Sequence, residues 1–122
     1  MDVCGDATVT CSKDGSIALS RFRDTYSLEV VRRFEDHKGI VKSVRFATGD
    51  PQRFASGGND RVLRVYDLRL PDVRASALEV VDAHARVINS VQFHPTDDHL
   101  LLSAGFDPHF YLFDLRKPRA PL

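Results

Sequence analysis

The chain has 122 residues, 43% apolar and 28% charged, which suits one ordinary folded domain and excludes a disordered segment. Its 17 basic and 17 acidic side chains cancel, so no overall field recruits nucleic acid or an acidic membrane surface. No apolar run approaches the roughly 20 residues of a bilayer span, and Met1 is followed by Asp2 rather than by a basic and then apolar leader, so a soluble chain of the nucleus, the cytoplasm or both is expected.

Val9 with Cys11 and Ile17 with Leu19 are two short alternating segments on either side of Lys13-Asp14-Gly15-Ser16, which predicts strand, tight turn and strand. Cys4 and Cys11 sit in neither a metal-ligand spacing nor a secreted disulfide pattern and are read as reduced structural thiols. Lys13, Arg21, Arg23, Arg32 and Arg33 make this early part basic, as solvated strand edges that discourage pairing would be. Ile40 to Phe46 reads as a strand, with Val44 and Phe46 alternating with Ser43 and Arg45. Thr48-Gly49-Asp50-Pro51 reads as a turn, Phe54 to Gly57 as a strand, Asn59-Asp60 as a turn and Val62 to Tyr66 as a third strand. Leu68 to Ala75, with Pro71, predicts a loop before a fourth strand near Leu78 to Val81. Strands follow near Val87 to Phe93, Leu100 to Ala104 and Phe110 to Phe113, broken by the turn Pro95-Thr96-Asp97-Asp98. No segment sustains a helical period, so the expected class is all-β.

Two of these stretches repeat one order of residue types. FEDHKGIVKSVRF followed by RFASGGNDRVLRVYDLR, from Phe34 to Arg69, returns as VDAHARVINSVQF followed by LLLSAGFDPHFYLFDLR, from Val81 to Arg116. His37 and His84, Asp60 and Asp107, and Asp67 and Asp114 are each 47 apart, and Asp14 lies 46 before Asp60 in a weaker third copy. A shared period in this range marks propellers and arrays, and four short antiparallel strands per repeat make one propeller blade. The strand count is about three, four and three. It divides the chain into an incomplete blade over 1–33 lacking its first strand, a blade over 34–81, an incomplete blade over 82–116 lacking its fourth, and a tail over 117–122. Two and a half blades expose apolar sheet faces and unpaired edges, so a fragment, a truncated gene product, or a ring completed by remaining blades or a partner chain, is expected.

These features resemble the WD-repeat family of β-propellers from about Ala7 to Arg116. The resemblance implies a hydrogen-bonded set of His, Ser or Thr, Asp and Trp that locks each blade. The second copy supplies His37, Ser56, Asp60 and Tyr66, and the third His84, Ser103, Asp107 and Phe113. The first supplies only Thr10 and Asp14, with Ser20 at the aromatic position. The family's Gly before the His is replaced by Asp36 and Ala83, and Trp by Tyr66 and Phe113. Phe113 carries no donor, so blade three should have a shortened network.

The Arg two residues after each strand-ending Asp is similar to a pattern found in WD-repeat substrate receptors of cullin-RING ubiquitin ligases. There it marks docking onto the ligase's propeller adaptor. Carried over, Asp67, Arg69, Asp114 and Arg116 are the adaptor-binding candidates. The same Asp-x-Arg occurs in histone chaperones and scaffold propellers, where the Arg can simply pair with a neighbouring blade's acid. The resemblance therefore implies a non-catalytic protein-interaction scaffold, in its sharper form a ligase receptor, with a histone-binding or chromatin-associated propeller as the alternative.

The family's partner-binding rim maps onto Lys13, Lys42, Asn59, Asn89 and Phe106. Phe106, just before a tight-turn Asp, either stands exposed as an interface anchor or packs against Pro108. No catalytic, cofactor or metal site is expected. His94, His99 and His109 lack a partnered nucleophile or converging ligands, and Ser56 and Ser103 lack a strained strand-to-helix elbow.

Overall fold

A computed structural model describes residues 1–69 and 78–117. Eleven strands form three antiparallel sheets in chain order, and no helix occurs among the described residues. Sheet one contains β1 (Asp2–Cys4), β2 (Ala7–Cys11), β3 (Ile17–Asp24) and β4 (Ser27–Phe34). Sheet two contains β5 (Val41–Ala47), β6 (Asp50–Gly58), β7 (Leu63–Asp67) and β8 (Leu78–Val80). Sheet three contains β9 (Ile88–Phe93), β10 (Leu100–Gly105) and β11 (Phe110–Asp114). Each is a meander in which neighbours in sequence are neighbours in space. The all-β partial propeller expected from the sequence is thus the architecture of the chain.

Sheet one differs from expectation: it has four strands, not three, because β1 supplies the one thought missing. Asp-Val-Cys is too short to display an alternation. Its place is fixed by pairing, Asp2 with Val9 and Cys4 with Ala7, and by the Asp2 carboxylate, which accepts the Phe46 N–H at 2.8 Å from sheet two. The turn expected at Thr48 to Pro51 is tighter, since Asp50 and Pro51 already belong to β6. From Leu70 onward the expected loop lies outside the described residues, as does the tail after Lys117.

Period-two alternation gives each sheet two different faces. The face each presents to the next is small and aliphatic: Ala7, Val9, Ile17 and Leu19 in sheet one, and Ala55, Gly57, Leu63 and Val65 in sheet two. The face that receives them is large and mostly aromatic: Phe46, Phe54 and Tyr66 in sheet two, and Phe93, Leu101 and Phe113 in sheet three. Small against large lets the facing side chains interdigitate, as close packing requires. Phe54 and Tyr66 stack at 4.8 Å between ring centres, and Phe34 of β4 meets both at 5.4 and 4.7 Å. Such aromatic pairs each add about 1 kcal/mol beyond the area they bury. A Cβ on Gly57 would lie 2.6 Å from Ile88 Cγ2, so the approach of sheet three admits only glycine there.

Polar links cross the same interfaces. Ser43 Oγ accepts the Val91 N–H at 3.2 Å, Thr48 Oγ1 donates to His94 O at 3.1 Å, and Arg53 pairs with Asp98 at 3.0 Å. Cys4 and Cys11 are free thiols packed against the first core.

Candidate functional site

Successive turns of a meander lie at opposite ends of its sheet, so each sheet has two chemically distinct ends. At one end of sheet two, His37 on the approach to β5 reaches Asp60 in the β6–β7 turn. Its Nδ1 lies 2.9 Å from Asp60 Oδ2, and its Nε2 lies 2.6 Å from Ser56 Oγ. A carboxylate can only accept, so Nδ1–H donates to Asp60 and the Ser56 hydroxyl donates to Nε2. Asp60 also accepts the N–H groups of Lys38 and Val62 at 3.1 and 3.2 Å. Sheet three repeats the arrangement. His84 Nδ1 lies 2.8 Å from Asp107 Oδ1, Nε2 lies 2.7 Å from Ser103 Oγ, and the Ala85 N–H reaches Asp107 at 3.2 Å.

Burial lowers the affinity of His37 for a second proton, against the opposing pull of Asp60. Burial also pushes the Asp60 carboxyl up, but His37 and the two backbone N–H groups outweigh it and hold Asp60 below its ordinary value. The pair is therefore a neutral imidazole bound to a carboxylate.

Ser, His and Asp in this order have the connectivity of a hydrolytic triad, but their surroundings do not suit that chemistry. Ser56 and Ser103 are 0% exposed, so neither Oγ can meet an acyl group. The sets satisfy one another's buried polar demand and tie the turn to the strand.

The aromatic position departs from the expected network. Tyr66 does not join the His37 set; its hydroxyl donates to Asp36 Oδ2 at 2.8 Å, and burial together with Asp36 pushes its phenol far above the ordinary value. Sequence reasoning noted Asp36 only as a missing glycine. In sheet three the equivalent pair is Phe113, in the apolar core, and Ala83, partly buried against it, so donor and acceptor are absent together. In sheet one, Asp14 turns to its own loop, accepting the Ser16 N–H at 2.9 Å and hydroxyl at 2.6 Å, while Thr10 and Ser20 make no lock.

At the opposite end lie the two Asp-x-Arg segments. Asp67 Oδ1 accepts the Arg69 backbone N–H at 3.0 Å and Nε–H at 3.1 Å; Asp114 Oδ1 does the same for Arg116 at 3.0 and 2.9 Å. Each carboxylate closes a turn and aims a guanidinium that stays more than half exposed. They differ in the last bond. Arg69 reaches Asp50 at 3.1 Å, whereas Arg116 takes Asp114 Oδ2 at 3.0 Å in a bidentate pair that holds Asp114 down to about 2. Both arginines pair with acids of their own sheet. The acid across the boundary, Asp98, is taken by Arg53.

The rim candidates Lys13, Lys42, Asn59, Asn89 and Phe106 are all exposed. Asn59 and Phe106 occupy one position of the repeat, their backbone N–H groups donating to Ile40 O at 2.9 Å and Val87 O at 3.1 Å, and Phe106 is 60% exposed. Asp97, Asp98 and His99 converge within 4.8 Å at the β9–β10 turn. Asp98 already holds Arg53, and Asp97 caps the His99 N–H at 3.0 Å, so the cluster serves the turn and the sheet boundary.

The family model for the WD domain, G-beta repeat, matches residues 28–67 and 76–114, so both matches end on the Asp that aims an arginine. The chain belongs to the WD-repeat family. A chain in the crystal structure of the mitotic checkpoint complex is similar in fold, with a TM-score of 0.78 over 94% of this chain at 20% identity. This WD-repeat chain spans 34% of that one. The three sheets are accordingly propeller blades, and the His-Ser-Asp sets are blade locks.

Proposed function

We propose that the chain is part of a non-catalytic protein-interaction scaffold of the nucleus or cytoplasm, and specifically of a substrate receptor of a cullin-RING ubiquitin ligase. In this reading Arg69 and Arg116 reach the ligase's propeller adaptor, with Asp67 and Asp114 aiming them. The observation that carries the proposal is the pair of Asp-x-Arg turns at one end of consecutive blades, each with an exposed guanidinium already oriented by its carboxylate. Orientation before contact reduces the ordering cost of binding, and a guanidinium's five donors exceed what one aspartate uses. Scaffold binding through folded loops also fits a fold whose Ser-His-Asp sets are sealed.

The test is affinity capture from cell extract with identification by mass spectrometry. The wild-type chain is compared with an Arg69→Ala, Arg116→Ala double variant matched in circular dichroism. Recovery of the adaptor by the wild type and its loss in the variant is the expected result. Failure of the folded wild type to recover the adaptor overturns the receptor reading. Capture of histones that survives the double variant but is lost with Phe106→Ala and Asn59→Ala would favour a chromatin-associated propeller, because the rim lies at the other end of the sheets.

A further inference from the structure

The boundary between blades one and two and the boundary between blades two and three use the same positions of the repeat, yet their outer edges differ. Leu19 in β3 pairs with Arg32 in β4, while its counterpart Val65 in β7 pairs with Leu78 in β8. Arg21 likewise corresponds to Asp67. Gln52 and Leu68, on the facing side of blade two, correspond to His99 and Leu115 of blade three. At the second boundary Leu78 and Leu115 pack against the core, and Asp67 is taken by Arg69. At the first boundary one arginine replaces the leucine and another replaces the acid. A cleft of about 190 Å³ opens there, lined by Leu19, Arg21, Val31, Arg32, Gln52 and Leu68. Both of its walls belong to four-stranded sheets of this chain.

The cleft is short of anions. Arg32 is exposed, and its guanidinium has no partner among the described residues. Arg21 has one, the exposed Asp6, at a loose 3.5 Å. The neighbouring acids are engaged elsewhere: Glu29, across from Arg21 on β4, leans on Arg23 at 3.7 Å, and Asp50 holds Arg69 at 3.1 Å. On the opposite wall, the backbone of Gln52 is used within blade two, its N–H donating to Asp50 at 2.9 Å and its carbonyl accepting the Leu68 N–H at 2.8 Å. Its side-chain amide makes no hydrogen bond among the described residues. The floor is apolar, since Leu19 is 2% exposed and Leu68 packs against the core.

We propose that this cleft receives the phosphate of a phosphorylated serine or threonine in a partner protein. Two guanidiniums on one wall and an amide on the other offer donors from more than one direction. A phosphate brings three acceptor oxygens and a charge of about −2, enough to serve all of them, whereas a carboxylate brings two oxygens in one plane. The cleft has room for about six water molecules, which suits one such group with its carbon stem against Leu19, Val31 and Leu68. The chain's net charge of zero supplies no field that would draw it onto an acidic membrane, so a protein is the favoured source of the phosphate. Neither Arg69 nor Arg116 takes part, so the site stands or falls independently of the ligase reading.

Arginine Nε–H signals in a proton–nitrogen correlation spectrum of the chain provide the test. The titrants are a short alanine peptide with a central phosphoserine, the same peptide with serine or glutamate there, and inorganic phosphate. The phosphopeptide should shift Arg21 and Arg32 saturably and leave Arg53, already paired with Asp98, unmoved. It should bind about tenfold more tightly than the glutamate form, and more tightly than inorganic phosphate because its carbon stem meets the apolar floor. Arg32→Leu, which installs what blade two carries at that position, should weaken binding by about tenfold or more while the urea midpoint holds or rises. Arg21→Gln should weaken it similarly, and Arg86→Gln, at an exposed position in blade three, should not. No saturable shift in the wild type, equal binding of the glutamate form or of inorganic phosphate, or uniform movement of the exposed Arg23, Arg33 and Arg86 overturns the proposal.

Discussion

Blades two and three carry the same lock on different aromatic wiring. Their His-Ser-Asp sets agree to within about 0.1 Å in every bond, yet one blade ends on a tyrosine bonded to Asp36 and the other on a phenylalanine with Ala83 at the matching position of the same core. The lesson is that the buried aromatic and the residue before the histidine change as a pair, polar with polar and apolar with apolar, while the lock stays fixed. A donor needs an acceptor within reach, and a ring without a donor does best without one.

The strongest way to break the comparison is to remove the lock itself. His37→Ala and His84→Ala should each cost about 3 kcal/mol, because each leaves a buried serine and an aspartate unpaired. Urea unfolding of the two variants checks this. A much larger cost at His37 would mean that the Asp36–Tyr66 pair is wired into its lock after all.

Exchanging the wiring is next. Phe113→Tyr buries a hydroxyl opposite Ala83 and should cost about 2 kcal/mol, with Ala83→Asp in the same chain recovering part of it. Tyr66→Phe, which strands only the half-buried Asp36, should cost nearer 1 kcal/mol. Additivity in the Ala83, Phe113 cycle would show that the two positions do not communicate.

Acid offers a gentler probe of blade two. His37 is held below its ordinary 6.5, so between that value and its folded value the unfolded chain binds a proton that the fold refuses. Stability is full above 6.5 and falls as pH drops from there. Asp60, held below 3.8, adds stability that is present above 3.8 and lost as pH falls through its folded value. Denaturation midpoints measured between about pH 7 and pH 5 should decline for the wild type. His37→Asn, weaker throughout, should lose the part of the decline that His37 contributes.

The smallest effect lies in the turn after the lock aspartate. Arg61 holds φ at 63°, a conformation that costs a side chain about 1 kcal/mol, while blade three places Pro108 at the same step. Arg61→Gly relieves that strain and gives up an exposed pair with Asp82 at 3.0 Å, so a gain of about 0.5 kcal/mol is expected in the same urea titration.

The 47-residue period, the all-β class and most strands were legible in the sequence because alternation and turn residues act locally. The lock residues were legible too, through the likeness to a known family, since His37, Ser56 and Asp60 recur at one spacing. What could not be read was any choice made between distant residues. Asp2–Cys4 is a strand only because β2 and Phe46 accept it, Asp36 matters only because folding brings Tyr66 to it, and Asp50 holds Arg69 only across a hairpin end. Sequence by itself determined the repeat and its blade chemistry, because these depend on residue type at fixed offsets. Tertiary structure alone decided which polar groups meet and which apolar faces pack together, because those depend on distances that no local pattern encodes.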